Sequence, residues 1–254
     1  HLISIIDMAN TKIRLGVNID HVAFIKTSRD TMYPNLLDAV RISEDAGADL
    51  ITIHLREDRR HIQDKDAMEI REYAKVLNFE MANTKEMIDF AINLKPNFCC
   101  IVPEKREEKT TEGGLSIMSY TDEQIAMLKN TIKNFKSNGI QTSLFIDPQK
   151  DSIDISKDVG ADLVELHTGK YSNFFNTIDE FEALDEIISA SEYAHSKGLL
   201  VNAGHGLNYE NLSEICKLKH INEINIGHAI VSQAVFTGLS DAIKKIISII
   251  NNSD

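Results

Sequence analysis

Histidines, carboxylates and an arginine recur in this chain at or just after the ends of short β-rich segments. The set is Asn18, Asp20, His21, His54, Arg56, Glu80, Glu165, His167, His205, Gly227 and His228. Side chains of these types exchange protons near neutral pH, and several gathered in one place suit a multistep reaction in which acids and bases change roles. Histidine and carboxylate also bind zinc, but the chain has no HxH within one segment, no HExxH and no CxxC pair. The spacing therefore favours proton transfer over metal catalysis.

Anion binding is the second chemistry on offer. Two glycine turns, Ala203-Gly204-His205-Gly206 and Ile226-Gly227-His228-Ala229, let backbone N–H groups approach a phosphate closely. Arg29 and Arg56 could clamp it in a bidentate manner, whereas Arg59 and Arg60 read as solvated charges. The charged stretch from Glu104 to Gly114 ends in paired glycines and reads as a lid over a site. Lys170, after His167-Thr168-Gly169, is the best placed lysine for a Schiff base, although its position beyond a glycine points to solvent.

These residues need a scaffold that brings separate segments to one mouth. The β-rich segments are Arg14–Asp20, Leu50–Leu55, Asn78–Ala82, Phe98–Pro103, Gln141–Asp147, Leu163–Gly169, Leu199–Gly206 and Glu223–Ile230. Most are separated by apolar residues at helical spacing, such as Leu36, Leu37 and Val40 before Ala46-Gly47, and Ile178, Phe181, Leu184, Ile187 and Ile188 before Gly198. Such alternation implies parallel strands joined by right-handed crossovers. Eight repeats predict a single closed (β/α)8 TIM barrel, a fold that typically takes about 250 residues; no GxGxxG follows the first segment to favour an open nucleotide-binding sheet. Within the strands Leu15, Val17, Ile51, Ile53, Val164, Leu166, Ile224 and Ile226 alternate with Gly16, Asn18, Thr52, His54, Glu165, His167, Asn225 and Gly227. With helices outside, the apolar set must face outward and the polar set inward. Inward charges are costly without partners, so they are expected near a solvated mouth, at the C-terminal strand ends.

The composition agrees with one enzyme-sized domain. The 254 residues are 43% hydrophobic and 26% charged, with no linker or low-complexity tract. A net charge of −12 argues against nucleic acid or an anionic membrane as partner, while leaving room for small anionic substrates in a locally positive pocket. Three cysteines, Cys99, Cys100 and Cys216, form no disulfide framework, which fits a cytoplasmic protein. No apolar run approaches the roughly 18 residues of a membrane span. Residues 1–12 lack the pattern of a secretory signal and read as an N-terminal extension to a barrel domain over 13–254.

Longer blocks then carry a family likeness. Gly16-Val17-Asn18-Ile19-Asp20-His21, the block His54 to His61, Phe98 to Arg106 and Thr110-Thr111-Glu112-Gly113-Gly114-Leu115 resemble pyridoxine 5′-phosphate synthases. So do Ser143 to Asp147, Glu165 to Gly169, Val201 to Leu207 and Asn225 to Ile230. The resemblance implies a barrel with extra helices, assembled as an octamer and needing no metal or organic cofactor. It would condense 3-amino-2-oxopropyl phosphate with 1-deoxy-D-xylulose 5-phosphate into pyridoxine 5′-phosphate, phosphate and water. By motif, His54 and Glu80 look like proton acceptors, His205 like the proton donor and Glu165 like a group that stabilises charge. Asn18, Arg29, Gly206, Gly227 and His228 would contact the amino-ketone phosphate. Asp20, His21, Arg56, His61 and Thr110 would contact the deoxyxylulose phosphate. Two departures stand out: Lys26 occupies a position where the family pattern has arginine, and the stretch from His61 to Glu80 is one residue short. The competing readings are a phosphosugar aldolase working through Lys170 and a barrel that binds phosphorylated metabolites without turnover.

Overall fold

The structure, a computed structural model, describes residues 12–29, 31–104 and 113–253. Among these, eight strands close into a barrel in chain order: β1 (Arg14–Asn18), β2 (Leu50–His54), β3 (Leu77–Met81), β4 (Phe98–Ile101), β5 (Gln141–Ile146), β6 (Leu163–His167), β7 (Leu200–Gly204) and β8 (Ile221–Ile226). Every pair is parallel, and β8 returns to β1 with Leu15 opposite Ile224 and Gly16 opposite Asn225. Closure leaves no unpaired sheet edge.

The alternation read from the sequence sets the two faces. Leu15, Val17, Ile51, Ile53, Phe79, Val164, Leu166, Ile224 and Ile226 join one buried apolar cluster with the helices, including Leu36, Ala39 and Val40 of the helix Leu36–Ala46. Thr52, Asn78, Glu165, Asn202, Glu223 and Asn225 are buried on the opposite face, inside the barrel, where they hydrogen-bond to one another. Gly16 is required there, because a Cβ would collide with the side-chain oxygen of Asn225.

The structure differs from the sequence reading in several places. Strands are shorter at the mouth: Asp20 starts the helix Asp20–Thr27, and His228 starts the helix His228–Thr237 rather than continuing β8 to Ile230. In the first case the cause is local, since Asn18 Oδ1 accepts the Asp20 backbone N–H at 2.8 Å and turns the chain. The alternation places charged lining only near the mouth, but Glu223 is buried low on β8; the guanidinium of Arg14 on β1 pairs with it and offsets the cost of that charge. The helix Glu180–Ser196 buries Ala183, Ile187, Ala190 and Ala194, at i, i+4, i+7 and i+11, while Ile178 precedes it and Phe181 sits exposed in its first turn. Cys99, Cys100 and Cys216 are free and buried. Of residues 1–12 only Lys12 is described.

Candidate active site

A cavity of about 490 Å³ opens at the C-terminal ends of the strands. It collects side chains from separate parts of the chain, as the barrel reading requires. Asn18 and Glu80 come from strands, and Asp20, His21, Arg56, His61 and His205 from the connections beyond the strand ends. Gly227 and His228 lie where β8 passes into a helix. His54, Glu165 and Gly206 also line the cavity.

Two glutamate carboxyls line it, Glu165 buried and Glu80 partly buried. Burial, then the charges of Glu165 and Asp20, push Glu80 well above the ordinary carboxylate range. Burial and the charge of Glu223 push Glu165 up to about 8, against the opposing hydrogen bond from Asn225. A Cβ at Gly204 would collide with Glu165 Oε1, so this glycine makes the room its carboxyl occupies.

His54 stands over them. Its backbone N–H donates to Asp20 Oδ1 at 2.9 Å, its Nδ1 faces Glu80 Oε2 at 3.9 Å, and its Nε2 lies 2.9 Å from Glu104 Oε1. Burial raises the Glu104 carboxyl, yet the hydrogen bond and charge of His54, the Glu57 N–H and the charge of Arg56 together outweigh that and leave it below its ordinary value. Glu104 also accepts the backbone N–H of Glu57 at 3.1 Å, which ties the end of β4 to the loop after β2.

His21, His61, His205 and His228 also line the cavity. His21 and His228 place their rings 4.8 Å apart, and burial, then His228, lowers the His21 pKa. Burial also lowers His61, opposed by the charge of Asp20. The backbone at His205 has φ of 81°, a region that few residues other than glycine adopt. Such strain persists where the surroundings hold it, and functional sites are where it concentrates. Burial and the neighbouring His167 push His205 down to about 4, so it is neutral at pH 7.

Not every residue singled out in the sequence reaches this cavity. Arg29 is exposed on the turn after the helix Asp20–Thr27 and is not among the lining residues. His167 faces a neighbouring cavity of about 610 Å³, which it lines with Asp147, Lys170, Ser172 and the shared His205 and Gly206. Its Nδ1 lies 3.1 Å from Asp147 Oδ1. Lys170 is half exposed and paired with Glu186 at 2.6 Å, which raises its pKa. That is the opposite of what a Schiff-base nucleophile needs. Arg59 and Arg60, read as solvated, form ion pairs with Asp64 and Glu86 and with Asp58. Thr110 and the interior of the proposed lid lie outside the described residues.

Asp20, His54 and Glu80 bring one potential ligand atom each to within 4.8 Å of one another, a donor set that the linear spacing does not reveal. Asp20 is already engaged by His54 N–H and by Asn18 Nδ2 at 3.0 Å, and His54 Nε2 by Glu104. Glu104, Phe24, Asn208 and Asn225 are site residues that the sequence reading misses. For Asn225 the inward parity on β8 is the available signal; Glu104 is read only as the first residue of the charged lid stretch, and nothing in that pattern marks it as the partner of His54.

Comparison with known proteins adds sequence relationship to geometry. Residues 15–252 match the family model described as "Pyridoxal phosphate biosynthesis protein PdxJ". A pyridoxine 5′-phosphate synthase of Thioalkalivibrio sulfidiphilus (strain HL-EbGR7) is 49% identical over 235 residues, covering 92% of this chain and 94% of that protein. One from Sulfurihydrogenibium sp. (strain YO3AOP1) is 50% identical over 244 residues, covering 94% and 98%. Among solved structures, a 3-keto-L-gulonate-6-phosphate decarboxylase from Vibrio cholerae O1 biovar El Tor str. N16961 aligns with a TM-score of 0.63 at 12% identity, covering 96% of this chain and 100% of that one. That likeness speaks for the barrel alone.

Proposed function

Since the chain belongs to the PdxJ family of pyridoxal phosphate biosynthesis proteins, we propose that it is a pyridoxine 5′-phosphate synthase. It joins 3-amino-2-oxopropyl phosphate to 1-deoxy-D-xylulose 5-phosphate and releases pyridoxine 5′-phosphate, inorganic phosphate and water. The observation that carries this reading is one cavity lined by His54, Glu80, Glu165 and His205, with histidines and a helix N-terminus at its side.

The chemistry asks for that set. An amine adds to a ketone and water leaves, phosphate is eliminated, and a carbon–carbon bond closes the ring; each step moves protons between nearby groups. Glu80, with its raised proton affinity, and His54, with Nδ1 turned toward Glu80, act as acceptors. Glu165 faces the developing charge as a neutral acid below about pH 8. His205 is a weak base in the empty site, and the negative charge of a bound phosphate raises its proton affinity and lets it act as donor.

The amino-ketone phosphate lies against Asn18, Gly206, Gly227 and His228, at the N-terminus of the helix His228–Thr237, with Arg29 supplied from the adjoining turn. The deoxyxylulose phosphate lies against Asp20, His21, Arg56 and His61, with Thr110 as the further contact that the family likeness implies. Neither a metal nor an organic cofactor enters this scheme. The enzyme works as a cytoplasmic homo-octamer; exposed Ile178, Phe181, Val235 and Phe236 support burial of apolar surface between copies.

The test is direct. Chelator-treated protein incubated with both phosphorylated substrates should form pyridoxine 5′-phosphate and inorganic phosphate in equal amounts. No product refutes the assignment. Activity lost on chelation and restored by a divalent ion overturns the metal-free scheme and points to Asp20, His54 and Glu80 as ligands.

A further inference from the structure

Beneath the cavity, Glu223 is buried and out of reach of any ligand there. Its carboxylate pairs with the Arg14 guanidinium and accepts Nδ2 of Asn202 at 3.1 Å and Nδ2 of Asn225 at 3.1 Å. The same Asn225 amide also donates to Glu165 Oε2 at 3.0 Å. Thr52 fixes which end of that amide faces the carboxyls: its hydroxyl donates to Asn225 Oδ1 at 2.9 Å, while its oxygen accepts Asn78 Nδ2 at 3.3 Å.

We propose that Glu223 is a positioning residue for the reaction: anchored by Arg14 and linked through the Asn225 amide, it keeps Glu165 protonated and facing the cavity. Two buried carboxyls joined by one amide do not both ionise, because each charge disfavours the other. The donors decide which one does. Glu223 receives three, one of them cationic; Glu165 receives the single amide N–H, with the Cys100 thiol 4.0 Å away. Burial, and the charge of Asp49, raise Glu223 as well, but the Arg14 charge and the hydrogen bonds from Asn225 and Arg14 oppose that, so the charge stays on Glu223 and the proton on Glu165. The other groups around Glu165 do not reverse this. Glu80 on β3, partly buried, and Cys100 on β4, fully buried, are themselves pushed upward; Asp20, His54 and His205 line the cavity above, and Arg14 touches Glu223 instead. The inference deepens the proposed function and rests on it. A neutral acid in the cavity wall can donate to a developing oxyanion, whereas an ionised one would repel two phosphorylated substrates.

Infrared titration of the ligand-free 254-residue chain reads the proton directly, with the Glu165 carboxyl band assigned by its loss in Glu165→Gln. The band should be present at pH 7 in the wild type. In Glu223→Gln its titration should move down by roughly one pH unit or more, and the alkaline limb of kcat/KM should move with it. A merely structural role would lower kcat and move neither. Because Glu223→Gln leaves Arg14 without its ion partner, the Arg14→Leu/Glu223→Gln double variant, which restores a neutral pair, is measured alongside and should show a smaller shift in the same direction. An unmoved titration in either variant, or no protonated band in the wild type at pH 7, overturns the inference. The infrared shift without product formation by the wild type would refute the proposed function and leave the coupling intact.

Discussion

The Nε2 of His54 and the Oε1 of Glu104 lie 2.9 Å apart. An ionised Glu104 at that distance holds the proton on Nε2 and leaves Nδ1 unprotonated, facing Glu80. The arrangement follows the logic by which a buried carboxylate fixes a catalytic histidine's tautomer. Glu104→Gln preserves the shape but allows the other tautomer, so kcat/KM should fall about 10²-fold or more. Steady-state kinetics measures the loss, and nitrogen-15 spectra of the histidine rings should show the tautomer change at His54. Wild-type kinetics with an altered tautomer would separate His54 from the rate-limiting proton transfer.

Glu80→Gln should lower turnover about 10²–10⁴-fold, the usual cost of losing a general base. The amide keeps the shape of the carboxyl, and burial, Glu165 and Asp20 already disfavour a charge at this position, so the fold should be unaffected. Single-turnover kinetics with both substrates tests this. A variant that turns over at the wild-type rate would remove Glu80 from the mechanism.

Much of this site is legible in the sequence because period-2 alternation is a geometric constraint. Once helices cover the outside, Thr52, Glu165 and Asn225 have to point inward, and the strand ends have to meet at one mouth. What the pattern cannot supply is which side chains pair between neighbouring strands that are distant in sequence, as β1 and β8 are. Arg14 and Glu223 are 209 residues apart, and nothing local marks either as the partner of the other. Segment ends are blurred for a related reason. Asp20 continues the inward parity of β1 and His228 falls out of that of β8, yet both are captured by a helix start, and Arg29 is carried by the first of those helices onto an exposed turn. Backbone strain at His205 is likewise invisible in residue type.

Glu165 should couple stability to pH. Its folded pKa of about 8 lies above the ordinary 4.5, so between those values the native state binds more protons than the unfolded chain. The stability it contributes is fully present below pH 4.5 and is lost as pH rises through 8, by at most about 1.4 kcal/mol per pH unit. Glu165→Gln, which cannot ionise, should therefore be inactive yet more resistant to denaturant than the wild type at pH 9, with the gap closing at pH 5. Urea unfolding at both pH values measures it. A gap independent of pH would mean that Glu165 does not change protonation on folding in that range.

His205 offers a way to separate chemistry from backbone geometry. With φ of 81° it occupies a conformation that asparagine tolerates and β-branched residues resist. His205→Asn should keep near wild-type stability while turnover falls about 10²–10⁴-fold through loss of the proton donor. His205→Val loses the same chemistry and should also cost about 1–3 kcal/mol of stability, because its side chain cannot relax into this turn. Denaturant unfolding and turnover, measured on both variants, distinguish the two effects. Equal stability of the two would mean that the turn rearranges freely and that no strain is held there; full activity in the asparagine variant would assign the proton donation to another group in the cavity.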